Sequence, residues 1–141
     1  MGRNKILVTG ATGFIGSNLV KKLYIPGNAI TIFAKNSSHP FLSGLNLKRI
    51  EGDIRDYNSI LNAVRGIDYV YHLAACSLNV PKEKGEIFSV NVLGTENVMK
   101  ACLESNVKKV VHVSSVSALG FSRNPNIKLN ENDFLDFKDN L

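Results

Sequence analysis

Thr9–Gly16 reads TGATGFIG, which places Gly10, Gly13 and Gly16 in a G-x-x-G-x-x-G spacing. The residues before it, Lys5–Thr9 (KILVT), form a short apolar run of strand character. After it, Phe14, Ile15, Leu19, Val20 and Leu23 recur at helical intervals and share a face. A glycine turn between a strand and an amphipathic helix is suited to holding phosphate. Gly10 lets the chain leave the strand sharply. Gly13 lets a pyrophosphate approach the backbone, and Gly16 lets the helix close on the sheet. The helix N-terminus adds unpaired N–H groups and a partial positive charge.

Outward from this turn the chain alternates strand and helix. The first helix, Phe14–Tyr24, stops at Pro26-Gly27. Ala29–Ala34 (AITIFA) predicts a second strand, His39–Asn46 a loop, and Leu47–Glu51 a third strand. Asp56–Val64 predicts a short helix capped by Asp53 or Asp56. Asp68–Leu73 is the fourth strand, Lys82–Glu104 one long helix, and Lys109–Ser114 the fifth strand. Ser117–Leu141, polar and rich in Asn and Asp, is expected to be loop. Such alternation implies an α/β fold with a doubly wound parallel sheet. The expected strand order is 3-2-1-4-5, with ligand bound where the order reverses. The nucleotide-binding domain is expected to span 1–118, with 119–141 a loop leading onward.

Composition sets the limits. The 141 residues are 44% hydrophobic and 21% charged, which suits one ordinary globular domain. No apolar run reaches the roughly 20 residues needed to cross a bilayer, and MGRNKILVTG does not read as a secretory leader. A cytoplasmic setting, with Cys76 and Cys102 reduced, is the expectation. The net charge of +5 arises from scattered pairs such as Lys21-Lys22, Lys48-Arg49 and Lys108-Lys109 rather than from one block. That argues against a nucleic-acid surface and is compatible with an anionic, phosphate-bearing cofactor.

TGATGFIG resembles the signature of extended short-chain dehydrogenases/reductases, the NAD-dependent epimerase/dehydratase family. The resemblance extends through later motifs and points to the dihydroflavonol-reductase-like branch and a Rossmann domain. It implies an oxidoreductase that moves hydride between a nicotinamide cofactor and a carbonyl or alcohol carbon. By this resemblance Thr9, Gly10, Thr12, Gly13, Phe14, Ile15 and Gly16 hold the cofactor's phosphates. Lys35, standing where a carboxylate would favour NAD, implies NADP in preference to NAD, with Ser37 and Ser38 as further donors. In Gly52–Asp56 (GDIRD), Asp53 and Ile54 are expected beside the adenine. In Tyr71–Ala75 (YHLAA), Leu73, Ala74 and Ala75 are expected against ribose and phosphates, with His72 packed or hydrogen-bonded rather than reactive. In Asn91–Thr95 (NVLGT), Asn91 is expected to bond backbone and Gly94 to allow close packing of helix on sheet.

The fifth strand ends in Val113–Ser117 (VSSVS). The resemblance makes Ser115 the catalytic hydrogen-bond donor to the substrate oxygen, with Ser114 as the alternative and a further cofactor contact. The family's mechanism also needs a Tyr with Lys four residues on. Tyr24, Tyr57, Tyr69 and Tyr71 are followed at that spacing by Asn28, Leu61, Leu73 and Ala75. The expectation is therefore a chain cut short before its catalytic Tyr/Lys pair and substrate domain, inactive alone. A nucleotide-sugar epimerase/dehydratase and a non-catalytic NAD(P) sensor are the alternative readings. Expected partners are a small-molecule substrate in the intact enzyme, no nucleic acid and no membrane. Self-association is also expected, with the open edge of Val110–Val113 covered by a second copy or by the chain's own tail from Asn124 onward.

Overall fold

The computed structural model describes residues 3–76, 84–120, 122, 124 and 126–132. Five strands form one parallel sheet: β1 (Asn4–Thr9), β2 (Asn28–Ala34), β3 (Lys48–Glu51), β4 (Tyr69–His72) and β5 (Lys109–His112). Their order is β3-β2-β1-β4-β5, as the alternation predicts. Leu7 pairs with Thr31 on one side and Val70 on the other, and this register fixes which residues share a face.

Strand alternation sends neighbouring side chains to opposite faces. Ile6, Val8, Ile30 and Ile32 meet Val20 of α1 (Phe14–Leu23) and Leu42. Leu7, Phe33 and Val70 meet α2 (Tyr57–Val64) and α4 (Thr95–Glu104) through Ile60, Val64, Val98 and Ala101. Both faces are covered, so β1 is apolar and buried on both sides at Ile6–Val8 and β2 at Ile32–Phe33. Asp56 caps α2, its carboxylate accepting from the N–H groups of Asn58 and Ser59. Asp53, the other candidate cap, instead accepts the Arg55 N–H across a two-residue turn.

The long helix departs from expectation. Helix α3 (Lys84–Phe88) passes into a π-helical turn over Ser89–Gly94 before α4 begins. The side chain of Asn91, inside this turn, grips the backbone of Cys76: Oδ1 accepts from the Cys76 N–H at 2.7 Å and Nδ2 donates to its carbonyl at 2.9 Å. Gly94 lies over Ile54, where an added Cβ would come 2.7 Å from Cδ1, so its close packing is on the turn after β3 rather than on the sheet. Hydrophobic spacing reports which face is buried, but one extra residue in a turn leaves that signal almost unchanged. The predicted start at Lys82, like the tail beyond Asn132, falls outside the described residues.

β5 ends at His112 rather than Ser114, and Val116–Leu119 forms a single 3₁₀ turn within the stretch expected as loop from Ser117. No helix among the described residues is long and apolar enough to cross a membrane. The two sheet edges differ. β3 is four residues long and carries Lys48, Arg49 and Glu51, a charged edge of the kind that resists pairing. β5 has Val110 and Val111 at its centre, and Val111 and Val113 are 41% and 46% exposed. Among the described residues no strand pairs with its outer side. The chain is therefore expected to associate through β5. Sedimentation velocity should show weight-average mass rising with concentration, and Val111→Lys should suppress the rise. A monomer at every concentration would rule this out.

Candidate functional site

A crevice of about 460 Å³ opens at the carboxyl ends of β1, β2 and β4, where the strand order reverses. Its volume is within the roughly 300–1,000 Å³ usual for small-molecule sites. It gathers Gly10, Thr12 and Gly13 from the first turn, Lys35 from the second, Asp53 and Ile54 from the third, and Leu73, Ala74 and Ala75 from the fourth. Phe33, Ala34, Asn36, Gly52, Cys76 and Val90 complete the lining.

The glycine turn is built by close backbone contact. Gly10 has φ +67°, and a Cβ there would come 2.5 Å from the Leu73 carbonyl carbon and 2.6 Å from the Ala74 nitrogen. Gly16 sits against the Gly10 carbonyl and 2.8 Å (from an added Cβ) from the Ala11 Cα. Gly13 is the N-cap of α1, and having no side chain it supplies no capping oxygen. The Phe14 and Ile15 N–H groups have no backbone acceptor among the described residues, and the first turn of α1 has no acidic residue. The helix end is thus electropositive, unblocked and open to an anion. Phe14 and Ile15, whose side chains are 83% and 60% exposed, do not line the crevice.

Thr9 is fully buried and organises the next turn. Its Oγ1 accepts from the N–H groups of Leu73 and Ala74, both at 3.2 Å. With both lone pairs engaged, the hydroxyl proton goes to His72 Nδ1, 2.7 Å away. His72 then carries its proton on Nε2 and donates it to Thr95 Oγ1 at 3.0 Å. Burial, with a smaller push from His112 stacked 5.1 Å away, brings the His72 pKa down from 6.5 to about 4. His72 is therefore a neutral, hydrogen-bonded strut beneath the crevice.

At the far end, Asp53 accepts from the Arg55 guanidinium at 2.6 Å and pairs with Lys35 Nζ at 3.1 Å. The Arg55 hydrogen bonds, followed by those of Lys35, hold its carboxyl well below the usual carboxylate range despite an opposing effect of burial. Glu51 accepts from the Ser37 N–H and hydroxyl, so Ser37 is tied to β3.

Ser114 and Ser115 lie beyond the end of β5 and are exposed. Ser115 caps the 3₁₀ turn, its Oγ accepting from the Ser117 N–H at 3.2 Å, and neither serine lines the crevice. Asn36, Cys76 and Val90 were not evident as lining residues from sequence. Cys76 and Val90 enter because the π turn and the Asn91 grip bring that helix against the turn after β4. The immediate neighbourhood of YHLAA in the sequence is the available hint for Cys76.

Residues 6–136 match the NAD dependent epimerase/dehydratase family. The chain is 40% identical over 117 residues to sterol demethylase protein B of Methylococcus capsulatus, an alignment covering 82% of this chain and 36% of that protein. In structure it resembles the Bordetella bronchiseptica enzyme WbmG in complex with NAD, with TM-score 0.76, 27% identity, and coverage of 89% of this chain and 42% of that one. It also resembles MoeE5 in complex with UDP-glucose and NAD, with TM-score 0.72, 34% identity, and coverage of 85% and 39%. The chain thus spans between a third and a half of the length of these relatives.

These relatives correct the expected preference for NADP, since both solved structures hold NAD. The physical reason is in the site. Lys35 reads in the sequence as a cation for a 2′-phosphate, but its ammonium is paired with Asp53, and that carboxylate would repel a phosphate beside it. A single-strand reading of the residue after β2 could not show that charge arriving from the turn after β3. By fold, glycine turn and family match, the chain belongs to the NAD dependent epimerase/dehydratase family.

Proposed function

We propose that this chain forms the NAD-binding part of an enzyme that acts on a nucleotide-linked sugar, in the manner of an epimerase or dehydratase. The observation that carries the reading is the unblocked N-terminus of α1 facing a glycine-lined crevice at the strand-order reversal. The Phe14 and Ile15 N–H groups would bind the pyrophosphate, and the absence of a side chain at Gly13 lets it come close. Asp53 and Ile54 would flank the adenine, Lys35 would steady the Asp53 carboxylate, and Leu73, Ala74 and Ala75 would offer a small-residue wall for a ribose. When bound, NAD supplies a hydride acceptor and donor. Ser115 would donate a hydrogen bond to the substrate oxygen at the carbon that exchanges hydride. The family matched, and the UDP-glucose held by MoeE5, favour a nucleotide-sugar substrate. A carbonyl reductase of the dihydroflavonol-reductase-like kind is the second reading, supported by the same motifs.

The 141-residue chain alone is expected to have negligible turnover. None of its four tyrosines has Lys four residues on, so the pair that would move the substrate proton is not in it. Loss of such acid–base assistance typically costs about 10²–10⁴ in rate. Incubation with UDP-glucose and NAD should give no epimer, no dehydrated sugar and no NADH above background. Turnover by the pure chain, abolished in Ser115→Ala, would contradict this.

A further inference from the structure

At the opposite end of the sheet from the glycine turn lies a second concavity of about 450 Å³. Strand alternation and register create it. Lys5, Thr31 and Lys48 stand on the α2 face of β1, β2 and β3, and Thr31 is the register partner of Lys48. Arg3 precedes β1, and the Arg65–Ile67 turn after α2 closes the concavity. Four cations, Arg3 and Lys5 at the start of β1, Lys48 at the start of β3 and Arg65 after α2, therefore converge from three separate segments, and no lining residue is acidic. None of the four side chains makes an ion pair or hydrogen bond among the described residues.

Asp68 is the carboxylate next to this group. It accepts the Lys5 backbone N–H at 2.9 Å and pairs with Lys108 at 2.8 Å, so its charge is already partnered. The carbonyl end of α2 adds an opposing partial charge of about half a unit, much less than four full ones. Thr31 lines this concavity, and its hydroxyl, which makes no protein hydrogen bond among the described residues, keeps contact with solvent there and is free to bond a ligand. Apolar Ala29, Ile30 and Ile67 beside it lower the local dielectric and strengthen any charge pairing there.

We propose that this basic concavity binds a compact oligophosphate, with Arg3, Lys5, Lys48 and Arg65 pairing its charges and the Thr31 hydroxyl bonding a phosphate oxygen. The cations surround a hollow rather than running along a stripe, and no aromatic ring lines it, which favours a small polyanion over a nucleic-acid strand. The same phosphate chemistry could come as a free inorganic oligophosphate or as the tail of a nucleotide.

The test is calorimetric titration of the 141-residue chain with tripolyphosphate, ATP and a short RNA duplex at fixed ionic strength, with and without saturating NAD. Tripolyphosphate is expected to bind with the same affinity in both conditions. Lys48→Ala and Arg65→Ala, both at exposed positions, should each weaken it by about tenfold with melting temperature unchanged. Thr31→Val should weaken it severalfold. Equal binding of ATP and tripolyphosphate assigns recognition to the phosphates alone, whereas tenfold tighter ATP assigns the ligand to nucleotides. The proposal is overturned by displacement of tripolyphosphate by NAD, by indifference to both exposed substitutions, or by binding of the RNA duplex alone. Because the variants report on this concavity directly, the outcome stands whether or not NAD binds at the glycine turn.

Discussion

Gly10→Ala and Gly16→Ala are each expected to destabilise the fold by about 3–5 kcal/mol, combining the strain and overpacking expected of such positions. At Gly10 two costs act together: φ is +67°, and the new Cβ would press into the Leu73-Ala74 peptide. At Gly16 the methyl would collide with the Gly10 carbonyl and Ala11 backbone, neither of which can swing aside as a flexible side chain could. Against a total of about 5–15 kcal/mol, a loss of this size leaves either variant near the edge of folding. Gly13→Ala should behave differently. Its φ is −81°, and its added methyl would come 3.3 Å from the Gly10 carbonyl, a tight but tolerable approach. Stability should change by about 1 kcal/mol or less, while NAD binding falls by roughly tenfold or more because the methyl occupies the phosphate's path. Urea denaturation of the three variants, set beside NAD titration of Gly13→Ala, separates the roles. Equal stability losses at all three positions would show that the turn is only structural.

Acidification is the second large effect. His72 is held neutral in the fold, with its pKa pushed down from 6.5 to about 4, whereas the unfolded chain takes up the proton near 6.5. Between those values the unfolded state binds more protons, so stability falls as pH falls. The contribution is fully present above about pH 6.5 and is lost by about pH 4, with a total on the order of 3 kcal/mol. Protonation also places a hydrogen on Nδ1, facing a Thr9 oxygen whose lone pairs are already taken by Leu73 and Ala74. The wall of the crevice should therefore loosen with the fold. Asp53 acts at lower pH, since its depressed carboxyl pKa gives stability present above the ordinary carboxylate range and lost below it. Urea midpoints from pH 7.5 to 4.5 should decline steeply in the wild type. In His72→Gln, which cannot titrate, the slope over that window should flatten. An unchanged slope would remove His72 as the cause.

Much of this fold is legible in the sequence because its determinants are local. KILVT, AITIFA and TGATGFIG report strand, strand and a strand-to-helix glycine turn without reference to distant residues, and alternation with helices then leaves few topologies. Asp53, Ile54, Leu73, Ala74 and Ala75 line the crevice because they sit at strand ends, which the topology brings to one side of the sheet. What was hidden depends on charges or contacts supplied by remote segments. Lys35 looks like a free cation until Asp53 is seen 3.1 Å away. The π turn at Ser89–Gly94 is tied to Asn91 reaching Cys76, fifteen residues back. Arg3 and Lys5 lie far from Lys48 and Arg65 in the sequence, and only sheet register and the turn after α2 bring them together. Ser115 shows the opposite case. Its motif is plain, yet in this chain it caps a turn outside the crevice.

The most direct test of the account is an NAD titration of the isotopically labelled 141-residue chain followed by backbone amide chemical shifts. Saturable shifts are predicted at Gly10–Ile15, at Asp53-Ile54 and at Leu73–Cys76, with Lys48 and Arg65 unaffected. Absence of saturable shifts, or shifts confined to residues away from the glycine turn, would contradict the central claim that this crevice is a dinucleotide site.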